Sequence, residues 1–291
     1  MSYPVLQAYL RRLAANPKAG SGLTLDGQGR AHCLFRDTTL ASAFQGIHGL
    51  ASSRIAGFEA LVRGPSTDED EHGRGFAGLL DNAASDDESV ALDRLSRILH
   101  AVNFFRQSPA PGNDLYLNVH TRLLAAVDDL HGAAFRHLLE VLELPREKII
   151  LQLPPVTQNQ GWILGVVAAN YRRNGFRLGL NAADVPQALA LLAQVRPDVI
   201  KLAAHTVVAD AAAASLLQAA AHNGVRLVFT HIDSPASLAR VRQLDASSTE
   251  ENLGQGRLWG KPGQTLPATV DAGAISATQL VSPAPPAKAA A

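Results

Sequence analysis

The stretch Lys148-Ile-Ile-Leu-Gln-Leu153, closed by Pro154-Pro155, decides the fold. Side chains two apart share one face of a strand. Ile149, Leu151 and Leu153 therefore form one apolar face, and Ile150 and Gln152 form the other. Neither proline offers a ladder N–H, so the strand stops there. The pattern recurs on both sides of this stretch. Leu115-Tyr-Leu-Asn-Val119 sets Leu115, Leu117 and Val119 against Tyr116 and Asn118. Phe176-Arg-Leu-Gly-Leu-Asn181 sets Leu178 and Leu180 against Arg177, Gly179 and Asn181. Val225-Arg-Leu-Val-Phe-Thr230 sets Leu227 and Phe229 against Val228 and Thr230. Ile55-Ala-Gly-Phe-Glu-Ala-Leu-Val-Arg63 and Val199-Ile-Lys-Leu202 are also strand-like. In each case the first face suits packing against outer helices. The second repeatedly finishes in a polar group near the strand's C-terminal end, where barrels place their sites. Glu59, Asn118, Gln152, Asn181, Lys201 and Thr230 are thus expected around one mouth.

Helical patterns fill the intervals. Val90, Leu92, Leu95, Ile98, Leu99, Val102 and Phe105 recur at helical spacing. Further helices are predicted over Phe135–Leu142, over Trp162–Asn174, from Asp184 and Pro186 to Arg196-Pro197, and in the Ala-rich stretch after Val207. Ser234 suits a cap and Pro235 the first position of a last helix. Such repetition calls for a parallel sheet covered by helices. The order alone fits either a closed barrel or an open doubly wound sheet.

The 291 residues are enough for one (β/α) barrel of roughly 250 residues. Within them, 1–30 read as an accessory helix and turn, 31–266 as the barrel and 267–291 as a flexible Ala/Pro-rich tail. Val5, Leu6, Leu10 and Leu13 mark the buried stripe of the accessory helix, and Gly20, Gly22, Asp26 and Gly27 the turns after it. Lys+Arg and Asp+Glu both number 26, which argues against steering onto a nucleic-acid polymer or an anionic membrane. No membrane span or signal peptide is visible, so a cytoplasmic location is expected. The single Cys33 excludes an intrachain disulfide and reads as a small apolar side chain in or near a strand.

The mouth holds few acids. A two-metal hydrolase needs several carboxylates to hold its ions and orient a water. Asn118 and Gln152 offer only neutral oxygens, and Lys201 would repel a metal. The Asp68–Glu71 and Asp86–Glu88 runs read as solvated loop charge. His231 reads as a rim histidine satisfied by its neighbours rather than a metal ligand.

Five segments, over roughly Phe44–Pro262, resemble the EAL domain of cyclic-di-GMP phosphodiesterases. Phe44-Gln-Gly-Ile47 is similar to the opening FQPI strand, with Gly46 for its proline. Gly57-Phe-Glu-Ala-Leu-Val-Arg63 matches the signature that contains Glu59-Ala60-Leu61. Leu117-Asn-Val119 and Asp198-Val-Ile-Lys-Leu202 resemble the asparagine and lysine strands. Gln255-Gly-Arg-Leu-Trp-Gly-Lys-Pro262 resembles the closing segment, with Arg257 at its aromatic position. The resemblance implies a modified TIM barrel with one antiparallel strand. It also implies metal-ligand positions at Glu59 and Asn118, which remain, and at Gln152, Asn181, Ala182, Ala203 and Thr230, where the family's acids are missing. Ligand contacts are expected at Gln45, Glu59, Leu61, Arg63, Asn118, Lys201, Asp233 and Gln255. The resulting expectation is a catalytically inactive regulatory protein without metal or other cofactor. It would serve as a metal-independent cyclic-di-GMP receptor that signals through a protein partner, with homodimerisation also considered. A nucleotide-independent interaction adaptor is the alternative reading, and residual phosphodiesterase activity a third.

Overall fold

A computed structural model describes residues 3–16, 22–35, 38–64, 85–108, 110–120, 130–155, 161–208, 211–246 and 251–267. The Asp68–Glu71 run and the tail from 268 lie outside the described residues. Eight strands close into a barrel: β3 (Thr38–Gly49), β4 (Ile55–Arg63), β5 (Asp114–Asn118), β6 (Ile149–Leu153), β7 (Arg177–Ala182), β8 (Val199–Ala203), β9 (Arg226–Thr230) and β10 (Leu253–Gly254). β4 to β10 run parallel in chain order. β3 closes the ring antiparallel to both β4 and β10. A short turn joins β3 to β4, and strands so joined must run in opposite directions. The closed ring removes the open-sheet alternative.

Helices α2 (Asp86–Phe105), α3 (Leu130–Val141), α4 (Gly161–Arg173), α5 (Val185–Val195), α6 (Ala211–His222) and α7 (Pro235–Asp245) follow successive strands. The caps read from the sequence are in place. Asp184 accepts from the Gln187 N–H at 2.8 Å, and Ser234 forms a capping box with Ser237. The Asp86–Glu88 run is not a loop. It is the first turn of α2, where Ser85 caps the Glu88 N–H and the helix dipole favours acids.

The predicted alternation separates two cores. Leu115, Leu117, Ile149, Leu151, Leu153, Leu178, Leu180, Leu227 and Phe229 pack outward in the main core. Ile47, Tyr116, Ile150, Val199, Val228 and Leu253 form a separate apolar plug inside the barrel. Below the plug Arg177 pairs with Asp114 at 2.7 Å. Above it lies the polar mouth.

The N-terminal segment differs in part from its sequence reading. α1 (Pro4–Ala15) buries Leu6, Leu10 and Leu13, but Val5 is only half-buried. Where only turns were expected, β1 (Leu23–Leu25) forms a hairpin with β2 (Ala31–Phe35), the strand that holds Cys33, and β2 pairs with the start of β3. Three residues are too few to show an alternation. Cys33 is fully buried in β2, and burial pushes its thiol up to about 11.

Gly256 follows the last barrel strand at a point where two backbones meet. A Cβ there would stand 2.1 Å from the Ile232 carbonyl oxygen. Gly256→Ala is expected to cost about 1–3 kcal/mol through overpacking, read as a lower urea midpoint. An unchanged midpoint would contradict this packing.

Candidate functional site

The mouth is organised around one carboxylate. Glu59 sits on the inner face of β4, opposite Gln45 of β3 and Tyr116 of β5. Its Oε1 accepts from Asn118 Nδ2 and Gln152 Nε2, each at 3.1 Å. Its Oε2 accepts from Lys201 Nζ at 2.9 Å and Gln255 Nε2 at 2.7 Å. An ionised carboxylate offers acceptors only, so every amide around it turns its NH₂ inward. Gln152 also donates to Asn118 Oδ1 at 3.3 Å, and Gln255 to Gln45 Oε1 at 3.1 Å. Gly179, on the neighbouring strand, leaves the space that Gln152 uses. A Cβ there would lie 3.3 Å from Gln152 Cγ.

Burial alone would raise the Glu59 carboxyl. The Lys201 charge and the hydrogen bonds from Gln255, Lys201 and Asn118 outweigh burial and hold it down at about 2. Both partners of the ion pair are largely withdrawn from water, with side chains 14% and 6% exposed. Breaking such a pair from one side leaves an uncompensated buried charge.

A cleft of about 410 Å³ opens above this network. Of the expected ligand contacts, Gln45, Glu59, Leu61, Asn118, Lys201, Asp233 and Gln255 line it. Asn181 and Thr230 line it too, and Gln152 lies buried beneath. Asn181 donates to the Leu153 carbonyl at 3.2 Å. Three expected positions fall elsewhere. Ala182 is one residue out of phase with Asn181 and packs in the outer core. Ala203 pairs with Thr230 but is not part of the wall. Arg63 stands opposite Ala41, beyond the last residue of β4 that borders the cleft.

Other lining residues were not among the expected ligand contacts. Arg257 and Lys261 come from the segment after β10, and Asp93, Ser96 and His100 from α2. Asp93 is buried in an ion pair with Arg97 at 2.6 Å and also accepts from the His120 N–H. Asp233 accepts from the Arg257 N–H at 2.8 Å. His231, at a positive φ of 60°, stands 3.0 Å from the Thr230 hydroxyl, consistent with a rim histidine held by its neighbour. Among the described residues, no three His, Cys, Asp or Glu side chains gather as a metal-ligating group. No described helix is long and apolar enough to cross a membrane.

The sequence pattern of the EAL domain matches residues 30–262, and the chain belongs to that family. No curated protein matches the chain. Among solved structures, the manganese and cyclic-di-GMP complex of Klebsiella pneumoniae BlrP1 at pH 9.0 is similar, with a TM-score of 0.61 and 21% identity. The match covers 77% of this chain but only 56% of BlrP1. The BlrP1 structure with FMN and cyclic-di-GMP and no metal ions matches at TM-score 0.57 and 19% identity, covering 78% of this chain and 54% of that one. A standalone EAL protein from Vibrio cholerae O395, in its c-di-GMP-bound form, matches at TM-score 0.61 and 18% identity. That match covers 81% of this chain and 98% of the other.

The Glu59 carboxyl lies below its ordinary value of 4.5, so its ion pair contributes stability that is complete above that pH. The contribution is lost as pH falls towards 2. Urea midpoints of the wild type should fall across this window, and those of Glu59→Gln should fall less. Parallel falls would show that Glu59 is not held in this way.

Proposed function

We propose that this chain is a catalytically silent EAL domain that binds cyclic-di-GMP without divalent metal and passes the signal to a protein partner. The observation that carries the reading is the occupation of Glu59. Its two oxygens are shared among one ammonium and three amide groups. A pair of divalent ions needs several anionic oxygens. Gln152 and Asn181 supply none. Among the described residues, the other two carboxylates on the wall, Asp93 and Asp233, are engaged by Arg97 and Arg257. These residues do not fit a two-metal centre, and the reading assigns them no metal-dependent step.

Binding is a separate matter from hydrolysis. The cleft is of ordinary size for a small ligand. Lys261 on its wall supplies positive charge suited to phosphate, and Arg257, whose charge Asp233 partly balances, adds a guanidinium beside it. BlrP1 supports the separation, because one of its structures contains cyclic-di-GMP and no metal ions. In this reading Lys201 serves Glu59 rather than the ligand, and Lys261 is the main phosphate contact. Arg63 lies beyond the wall, so its removal should matter less.

Titration calorimetry with cyclic-di-GMP tests the proposal. Equal affinity with and without magnesium or manganese is expected, with no hydrolysis in either case. Lys261→Ala should weaken binding by about 1.5–3 kcal/mol, and Arg63→Ala by less. Strict metal dependence, or turnover that disappears in Glu59→Ala, would overturn the reading. Absence of any binding would favour a nucleotide-independent adaptor.

A further inference from the structure

The cleft is lined in part by α2, and its His100 has its proton placed by a chain of hydrogen bonds that starts at the backbone. Asn103 of α2 is clamped by Ala31 of β2. Its Oδ1 accepts from the Ala31 N–H at 2.8 Å, and its Nδ2 donates to the Ala31 carbonyl at 2.8 Å. The two backbone groups fix which end of the amide is nitrogen. The remaining Nδ2 hydrogen points to Ser42 Oγ at 3.1 Å, so Ser42 accepts there. Ser42 is buried, and its hydroxyl proton needs an acceptor. Its other partner is His100 Nδ1, at 2.9 Å. Nδ1 therefore accepts, and the ring carries its hydrogen on Nε2.

His100 is 4% exposed and borders the cleft, and its Nε2 has no hydrogen-bond partner among the described residues. Burial holds the imidazole down at about 3, so it is neutral across the physiological range. A neutral donor does not compete with Lys261 and Arg257 for phosphate. The same cleft is also lined by the apolar Ala60, Leu61 and Val62, which suit the face of a flat ring.

We propose that His100 reads a guanine base, its Nε2–H donating to the O6 acceptor on the major-groove edge. Guanine presents two acceptors there, whereas adenine replaces O6 with an amino donor. His100 would thus favour guanine over adenine. The inference rests on the receptor reading above and adds the residue that reads the base.

The test uses the full chain with cyclic-di-GMP and cyclic-di-AMP as probes. His100→Phe keeps a ring beside Phe44 and removes the donor, whereas His100→Gln keeps an N–H near the same place. The Phe variant should bind cyclic-di-GMP about ten-fold more weakly, and the Gln variant should recover most of that loss. Preference over cyclic-di-AMP should shrink in the Phe variant. Nitrogen-15 spectra of the ligand-free wild type should show the hydrogen on Nε2, a readout that does not depend on ligand or on a variant folding. Three results would overturn the inference while leaving the receptor reading in place: an Nδ1–H ring, unchanged cyclic-di-GMP affinity in a folded His100→Phe, or an equal loss for both dinucleotides. No wild-type binding would overturn both.

Discussion

Glu59 and Lys201 lie 2.9 Å apart at the top of the barrel, and most of the mouth is arranged by their need for each other. Neither charge could stay in so enclosed a position alone. The carboxylate also fixes its neutral neighbours. Asn118 and Gln152 come from β5 and β6 and Gln255 from the residue just after β10, and all present NH₂ to it because it can only accept. Gln255 then orients Gln45, so the antiparallel strand joins the same network. Glu59 is balanced by a base, and the two other acids that line the mouth among the described residues, Asp93 and Asp233, are paired with arginines.

The barrel supports the arrangement from below. The apolar plug of Ile47, Tyr116, Ile150, Val199, Val228 and Leu253 separates the network from the opposite end of the barrel. Gly57 makes room for Tyr116, since a Cβ there would meet its ring at 2.9 Å. Gly179 makes room for Gln152 in the layer above. Small residues on the inner face thus set how close the polar side chains come to Glu59.

Much of this was legible in the sequence because strand periodicity is strict. Leu151 and Gln152 must face opposite ways, and the register carries that rule around the ring. The same strictness explains why Ala182 left the site: it is one step from Asn181 and faces outward. Arg63 left for a different reason. β4 outruns β5, which pairs only with residues 57–60, so its last residues continue past the mouth. The α2 contribution was missed because only the apolar stripe of that helix was read, although Asp93, Ser96 and His100 recur at i, i+3 and i+7 along one face. Contacts such as Gln255 to Glu59, 196 residues apart, arise only when the ring closes.

Lys201 and three amides hold the Glu59 carboxylate. Carbon-13 NMR of the Glu59 carboxyl measures this directly. The account predicts a resonance that titrates near 2 and does not respond to millimolar magnesium. A resonance that titrates near the ordinary 4.5, or that shifts with magnesium at neutral pH, would contradict it.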